Sequence, residues 1–275
     1  MSKKLTIGLC LGLMVSVAAP VAMAEDASPA AVAAPAAQAI EPKAVELLKA
    51  ASAALAGAET VSFNSVGTYE RAAKNGQPLF YSSVHEVRMQ RPDKLRVITL
   101  GDGTPDEFYY DGKLMMAYVP SIDLVAISDA PPTIDKLLDA IWEKAAIYFP
   151  FTDVLASDPY AELSKGMKSA FYVGRSIAVG GTTTDMVAIT GEDAASEVWL
   201  GAEDHLPRLI RVVYAHEPAH ALYQTEFSNW KLGEKIEAST FASEKAAKAK
   251  RMEFAHPARP VAANPVVPKA PAETK

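Results

Sequence analysis

His216-Glu217-Pro218-Ala219-His220 has the spacing H-E-x-x-H. On a helix that spacing puts two histidines on one face to hold zinc, with the glutamate beside the metal as base. Pro218 works against the helix, because it removes a backbone hydrogen bond and clashes with the turn before it. The flanking runs, Ile210 to Ala215 and Leu222 to Phe227, read as strands. The segment therefore reads as a hairpin turn, and a zinc hydrolase using His216, Glu217 and His220 is a remote alternative. Asp102, Asp106, Glu107 and Asp111 form an acidic cluster around turns. Carboxylate oxygens there suit weak calcium binding, but solvated turn residues are the plainer reading. The sequence has no G-x-S-x-G nucleophile elbow and no glycine-rich phosphate loop. The expectation is a non-enzyme with no metal and no cofactor.

The other candidate site is apolar. Thr133 is a good N-cap, and Ile134, Leu137, Leu138, Ile141, Trp142 and Ala145 recur at helical spacing as far as about Tyr148. Asp135, Lys136, Asp139, Glu143 and Lys144 take the opposite face. Over a flat sheet such a face is core. Over a concave one, part of it lines a pocket for an alkyl chain, where each buried methylene contributes about 0.8 kcal/mol. The candidate ligand-binding residues are Leu137, Leu138, Ile141 and Trp142, with Met116 from the sheet. The sequence alone leaves pocket and packed core both open.

The elements that must position this helix are mostly strands. Pro42 to Gly57 is a helix facing inward through Val45, Leu48 and Leu55. Val61 to Tyr69 and Leu79 to Gln90 alternate on either side of Asn75-Gly76, a strong hairpin signal. Leu95 to Leu100, Glu107 to Tyr110, Leu114 to Val119 and Ile122 to Ser128 follow, with Asp111-Gly112 as a second hairpin turn. Leu114, Met116 and Tyr118 fall on one face and Met115, Ala117 and Val119 on the other, as expected if one face packs on a core and the other lines a cavity or meets the helices. After the Thr133 helix, Asp158 and Pro159 start a short second one that stops at Gly166. Strands resume at Ala170 and run to Leu232, around Gly180-Gly181. The fold class is α+β: a large curved antiparallel sheet of about eleven strands, with an N-terminal helix and a helical insertion as lid.

The ends of the 275-residue chain differ in kind from its body. Residues 1–24 read as a signal peptide, with Lys3 and Lys4, an apolar stretch and Ala22-Met23-Ala24 as cleavage site. The periplasm is the expected compartment. Cys10 is the only cysteine and lies in that apolar stretch, so the exported chain holds no thiol. Residues 25–41 read as an Ala/Pro-rich linker, 42–243 as one domain and 244–275 as a disordered basic Pro/Ala-rich tail. Between Glu25 and Glu244 there are 18 basic against 31 acidic residues, a balance of −13. Nucleic acid is therefore an unsuitable partner. The tail reads first as solvated and second as a peripheral contact with an anionic membrane.

Arg91-Pro92-Asp93-Lys94-Leu95-Arg96-Val97, Tyr109-Tyr110-Asp111-Gly112-Lys113 and Tyr118-x-Pro120 resemble strands of the periplasmic lipoprotein-carrier fold of the LolA/LolB type. With Phe149-Pro150-Phe151, Ser157-Asp158-Pro159, Leu206-Pro207-Arg208 and Ser228-Asn229-Trp230, the chain is similar to a family of predicted periplasmic proteins with that fold. The resemblance covers roughly Ala44 to Gly233. It implies a half-open β-barrel, apolar inside and lidded by helices. The expected function is a binding or carrier protein for an amphiphile, a lipid or an acylated protein. The alternative is an adaptor or stress sensor that meets an envelope protein.

Overall fold

The computed structural model describes residues 39–215 and 222–256. The expected signal peptide, the linker up to residue 38, His216 to His220 and the tail beyond residue 256 lie outside the described residues.

Twelve strands form one sheet in the order β12-β6-β5-β4-β3-β2-β1-β11-β10-β9-β8-β7. β1 (Thr60–Ala72) and β2 (Pro78–Gln90) make a long hairpin. Its turn includes Gly76 at φ +82°, a conformation glycine adopts without strain. β3 (Lys94–Gly101), β4 (Asp106–Tyr110), β5 (Leu114–Val119) and β6 (Leu124–Asp129) meander to one edge. β7 (Ser169–Ser176) starts at the other edge. β8 (Thr184–Thr190), β9 (Ala194–Gly201), β10 (Pro207–Tyr214) and β11 (Leu222–Leu232) lead back until β11 pairs with β1. The two ends of the sheet do not meet, and the result is the expected α+β half-open barrel.

Helices carry the chain from β6 to β7 across the inner face. Thr133 caps α2 (Ile134–Ala145) by accepting from the Lys136 N–H. The helix ends at Ala146, left-handed at φ 51°, and not near Tyr148 as the spacing predicts. α3 (Thr152–Leu155) and α4 (Pro159–Leu163) follow, the second capped by Asp158 as expected. The Arg91 guanidinium, at the β2–β3 turn, donates to the carbonyls of Leu155 (3.2 Å) and Ala156 (2.9 Å) at the end of α3. α1 (Pro42–Ala56) buries Ala44, Leu47, Leu48, Ala51, Ser52 and Leu55. Leu48 and Leu55 of the face read from the spacing are among these, while Val45 is half-buried, so the inward face is shifted towards Ala44, Leu47 and Ala51. Ala44 and Ala51 allow close approach to the neighbouring elements, yet are too weakly apolar to mark a face in sequence.

The main core is aromatic at its centre. Phe63 of β1 is fully buried and meets Phe151 edge-on at 5.4 Å, Phe227 at 5.7 Å and Trp230 at 4.6 Å. Phe149 rests on Phe108 at 5.6 Å. The Thr225 hydroxyl donates to the Pro150 carbonyl at 3.1 Å, so the Phe149-Pro150-Phe151 segment is pinned down onto the sheet.

A second cluster covers the outer face. Tyr109, Met116, Tyr118 and Val125 pack there with Ala246 and Ala249 of the α5 region (helix Glu244–Lys248). β12 (Lys250–Met252) then pairs in parallel with β6. The disorder expected from residue 244 onward is corrected by this: the chain stays folded through β12. The Ala/Lys-rich composition hid it, because two buried alanines and a three-residue strand leave no periodic signal.

Candidate functional site

The inner face is filled at one end and open at the other. Along β1 the inward positions run Phe63, Ser65, Gly67, Tyr69 and Arg71, and the open region begins at Gly67. Tyr148, in the connection between α2 and α3, stands in the opening. Four adjoining clefts, of about 390 to 460 Å³ each, all border it.

The first cleft, about 430 Å³, has an aromatic rim and a polar floor. Arg71 donates to the Tyr223 hydroxyl, and its guanidinium lies 5.2 Å from the Tyr69 ring and 5.5 Å from the Tyr223 ring. On the floor, Ser83 Oγ is 2.9 Å from His85 Nε2, and His85 Nδ1 is 3.3 Å from Thr99 Oγ1. His85 is 5% exposed, and burial pulls its pKa down to about 4. It is a neutral imidazole at neutral pH and a weak base. Desolvation pushes the neighbouring Asp106 carboxyl above its ordinary value, opposed by the Thr99 hydroxyl and reinforced by Glu107.

Two other clefts combine apolar walls with carboxylates, Asp135, Asp139, Asp153 and Glu162 in one and Asp153 in the other. One is bounded by Leu138, Trp142, Ile147 and Phe149, and the other by Trp142, Phe151, Ile210, Val212 and Tyr214. Trp142 meets Tyr148 edge-on at 6.4 Å. Asp153 borders both clefts, and desolvation raises its pKa. The aromatic and aliphatic part of these walls is suited to an alkyl chain through dispersion and the hydrophobic effect, and the floor of the first cleft offers hydrogen bonds.

The five residues singled out from sequence separate into three places. Leu138 and Trp142 border open space. Leu137 and Ile141 are sealed into the core at 0% and 1% exposure. Met116 lies on the opposite face, beneath α5. Tyr148 and the Ser83-His85-Thr99-Asp106 floor were not read from sequence. A signal for the floor exists: Ser83 and His85 occupy the same side of β2 as the buried Val87 and Met89, so polar groups recur where an inward face should be apolar.

The acidic cluster divides in a similar way. Asp102 accepts from the Ser82 N–H at 2.6 Å, Asp111 from the Lys113 and Leu114 N–H groups, and Glu107 from the Tyr109 hydroxyl at 2.7 Å. Only Asp106 faces a cleft. Among the described residues, no three His, Cys, Asp or Glu side chains converge as a metal site. The strands flanking His216 to His220 pair with each other, Val213 opposite Leu222.

Fold and clefts together define a class: a half-open α+β barrel, lidded by helices, with an aromatic cleft system at its open end. The chain belongs to the family of predicted periplasmic proteins DUF2092, whose pattern matches residues 44–255. Its compartment is the periplasm, in agreement with the expectation drawn from residues 1–24. No curated protein matches the chain. Similar solved structures include MucB, in a MucA/MucB complex from Pseudomonas aeruginosa, at 19% identity over 76% of this chain and 62% of that one (TM-score 0.42). LprF from Mycobacterium bovis matches at 15% identity over 73% of this chain and 97% of that one (TM-score 0.41). A LolA-superfamily protein from Nitrosomonas europaea matches at 10% identity over 73% and 97% (TM-score 0.33). The chain spans 60–65% of the MucB chains it matches.

Proposed function

We propose that this protein binds an amphiphile, a lipid or the acyl chain of a lipoprotein, in the clefts around Tyr148, and that it acts as a periplasmic carrier and not as an enzyme. The observation that carries this reading is the cleft system itself. Trp142 and Tyr148 stand 54% and 57% exposed in a concave site whose apolar wall is formed by Leu138, Ile147, Phe149, Phe151, Ile210 and Val212, with carboxylates at its borders. Such surface is costly to leave in water, and covering it with an alkyl chain contributes about 25 cal/mol per Å² of apolar area removed from solvent. Affinity should then rise with chain length until the clefts are full.

Mass spectrometry of an organic extract of protein purified gently from periplasm tests this, followed by titration with fatty-acyl probes of increasing length. A stoichiometric lipid, or affinity that climbs with length, is the expected result. A clean extract together with no length-dependent binding overturns the reading. A second reading, an adaptor for another envelope protein, draws on the edge strand β7, where Phe171 and Val173 are 39% and 47% exposed. A photo-crosslinker at Val173 that captures one envelope protein in cells, from a chain that binds no lipid, favours it.

A further inference from the structure

The floor of the first cleft is a row of polar groups laid across three strands. His85 on β2 stands opposite Thr99 on β3, and Thr99 opposite Asp106 on β4. Ser83 closes the near end, two residues from His85. One protonation pattern satisfies the whole row. The Ser83 hydroxyl donates to Nε2, the Nδ1–H donates to Thr99, and the Thr99 hydroxyl turns to the Asp106 carboxylate. Asp106 is then the terminal acceptor, in a desolvated place, with lone pairs to spare.

Two further features mark this floor as built to receive something. Gly67 faces Ser83 across the β1–β2 pair. Its φ is not in the left-handed region, so the backbone does not require glycine there. A Cβ would stand 3.2 Å from Ser83 Oγ and 3.9 Å from His85 Nε2. Glycine weakens a central strand, and what it provides here is access to the floor. Ser65, opposite His85 in the register, is 1% exposed, and its hydroxyl has no hydrogen-bond partner in the protein. An unused donor therefore lies on the strand next to His85.

The charges around the floor select among head groups. The walls of the four clefts carry Asp106, Asp135, Asp139, Asp153 and Glu162 against one guanidinium, that of Arg71. Arg71 sits at the rim and is engaged by Tyr223 and two rings. A carboxylate brought to the floor would meet a neutral imidazole and a second carboxylate, with no cation to offset its desolvation. A hydroxyl meets acceptors it can donate to and loses little on leaving water.

We propose that Ser83, His85, Thr99 and Asp106 form a head-group subsite that takes an uncharged, hydroxyl-bearing amphiphile of the monoacylglycerol class in preference to a fatty-acid anion. This rests on the reading of the clefts as an amphiphile site and sharpens it.

The experiment compares two ligands with the same chain and different heads. The purified protein is titrated calorimetrically near neutral pH with monodecanoylglycerol and with decanoate. The expected result is at least about ten-fold tighter binding of the glycerol ester, since a site of buried hydrogen-bonding groups discriminates strongly against the wrong head. Asp106→Asn should bring the two affinities to within about three-fold, chiefly by admitting decanoate. Equal or tighter binding of decanoate by the natural protein overturns the head-group assignment and leaves the amphiphile reading standing. Binding of neither ligand, from a protein whose extract is also free of lipid, removes both. The ratio for the natural protein decides the matter even where the variant proves unstable.

Discussion

Met115 and Met116 are neighbours on β5, yet they are buried in two different apolar clusters. Met115 belongs to the main core beneath the lid helices, and Met116 to the outer cluster beneath α5. A strand turns successive side chains to opposite faces, so two adjacent methionines are both protected only if something covers each face. The cover on the outer side comes from the C-terminal end of the fold, and it should carry stability. Ala246 is fully buried there, whereas Lys248 lies on the exposed side of the same helix. Ala246→Glu places an unpaired charge against Tyr118 and Val125 and should cost about 3 kcal/mol. For a domain of this size that is a fall of roughly 6–12 °C in Tm. Lys248→Ala should stay within about 0.5 kcal/mol. Denaturant unfolding of both variants checks this, and equal effects would mean that α5 does not hold the outer face.

The lid helix gives a second contrast. Leu137 and Trp142 belong to one amphipathic stripe in sequence, but the first is sealed and the second stands in a cleft. Leu137→Ala should cost about 2–5 kcal/mol, the range for a buried leucine. Trp142→Ala should cost less than about 1 kcal/mol of stability and weaken binding of a long acyl probe roughly ten-fold, equivalent to about 1.4 kcal/mol. Thermal melts and probe titrations separate the two roles. A large loss of stability at Trp142, with binding unchanged, would return it to the core.

These contrasts show what could be read from sequence and what could not. Asn75-Gly76, Asp111-Gly112, Thr133 and the Asp158-Pro159 pair act through local backbone chemistry, and the elements they punctuate are where the sequence puts them. Leu137 and Leu138 are indistinguishable by spacing, because burial depends on how the helix is rotated above the sheet, which is set by distant partners. α3 is too short to show a period. β12 is fixed by its pairing with β6, far away in sequence. The polar floor becomes visible only once β2, β3 and β4 are in register, since His85, Thr99 and Asp106 are unremarkable singly.

His85 should make the fold sensitive to acid. Its pKa falls from 6.5 to about 4 on burial. As pH drops below 6.5, the unfolded chain takes up a proton that the folded chain refuses. The stability is therefore fully present above that value and lost progressively down to about 4. The shift corresponds to roughly 3 kcal/mol across that window. Asp106 and Asp153, whose carboxyls are raised by desolvation, act in the opposite sense and gain stability as they protonate. The natural protein alone would understate the effect of the imidazole, so the measurement is a difference. His85→Gln keeps a hydrogen-bonding side chain between Ser83 and Thr99 without the titration. Its unfolding free energy should vary less between neutral and mildly acidic pH than that of the natural protein. Parallel curves would show that His85 is not held neutral.

Gly67 offers the sharpest separation of binding from folding. Its backbone is an ordinary strand conformation, so alanine or valine meets no φ penalty and gains strand preference. The nearest groups to an added Cβ are the rotatable Ser83 hydroxyl at 3.2 Å and Pro150 Cγ at 3.4 Å. Both lie within a few tenths of an ångström of ordinary contact, so the strand should accommodate the change. Gly67→Ala and Gly67→Val should keep stability within about 1 kcal/mol of the natural protein, the scale of strand-propensity effects. Their side chains nevertheless occupy the space above Ser83 and His85. Affinity for an acyl ligand should fall in order of size, modestly for alanine and about ten-fold or more for valine, as expected when a ligand group is displaced from a shaped pocket. Calorimetric titration of the three proteins, with melting curves alongside, reads both quantities. A graded loss of affinity with unchanged melting places the ligand over Gly67. Unchanged affinity in a folded Gly67→Val protein places it elsewhere, in the Trp142 clefts or outside the half-barrel.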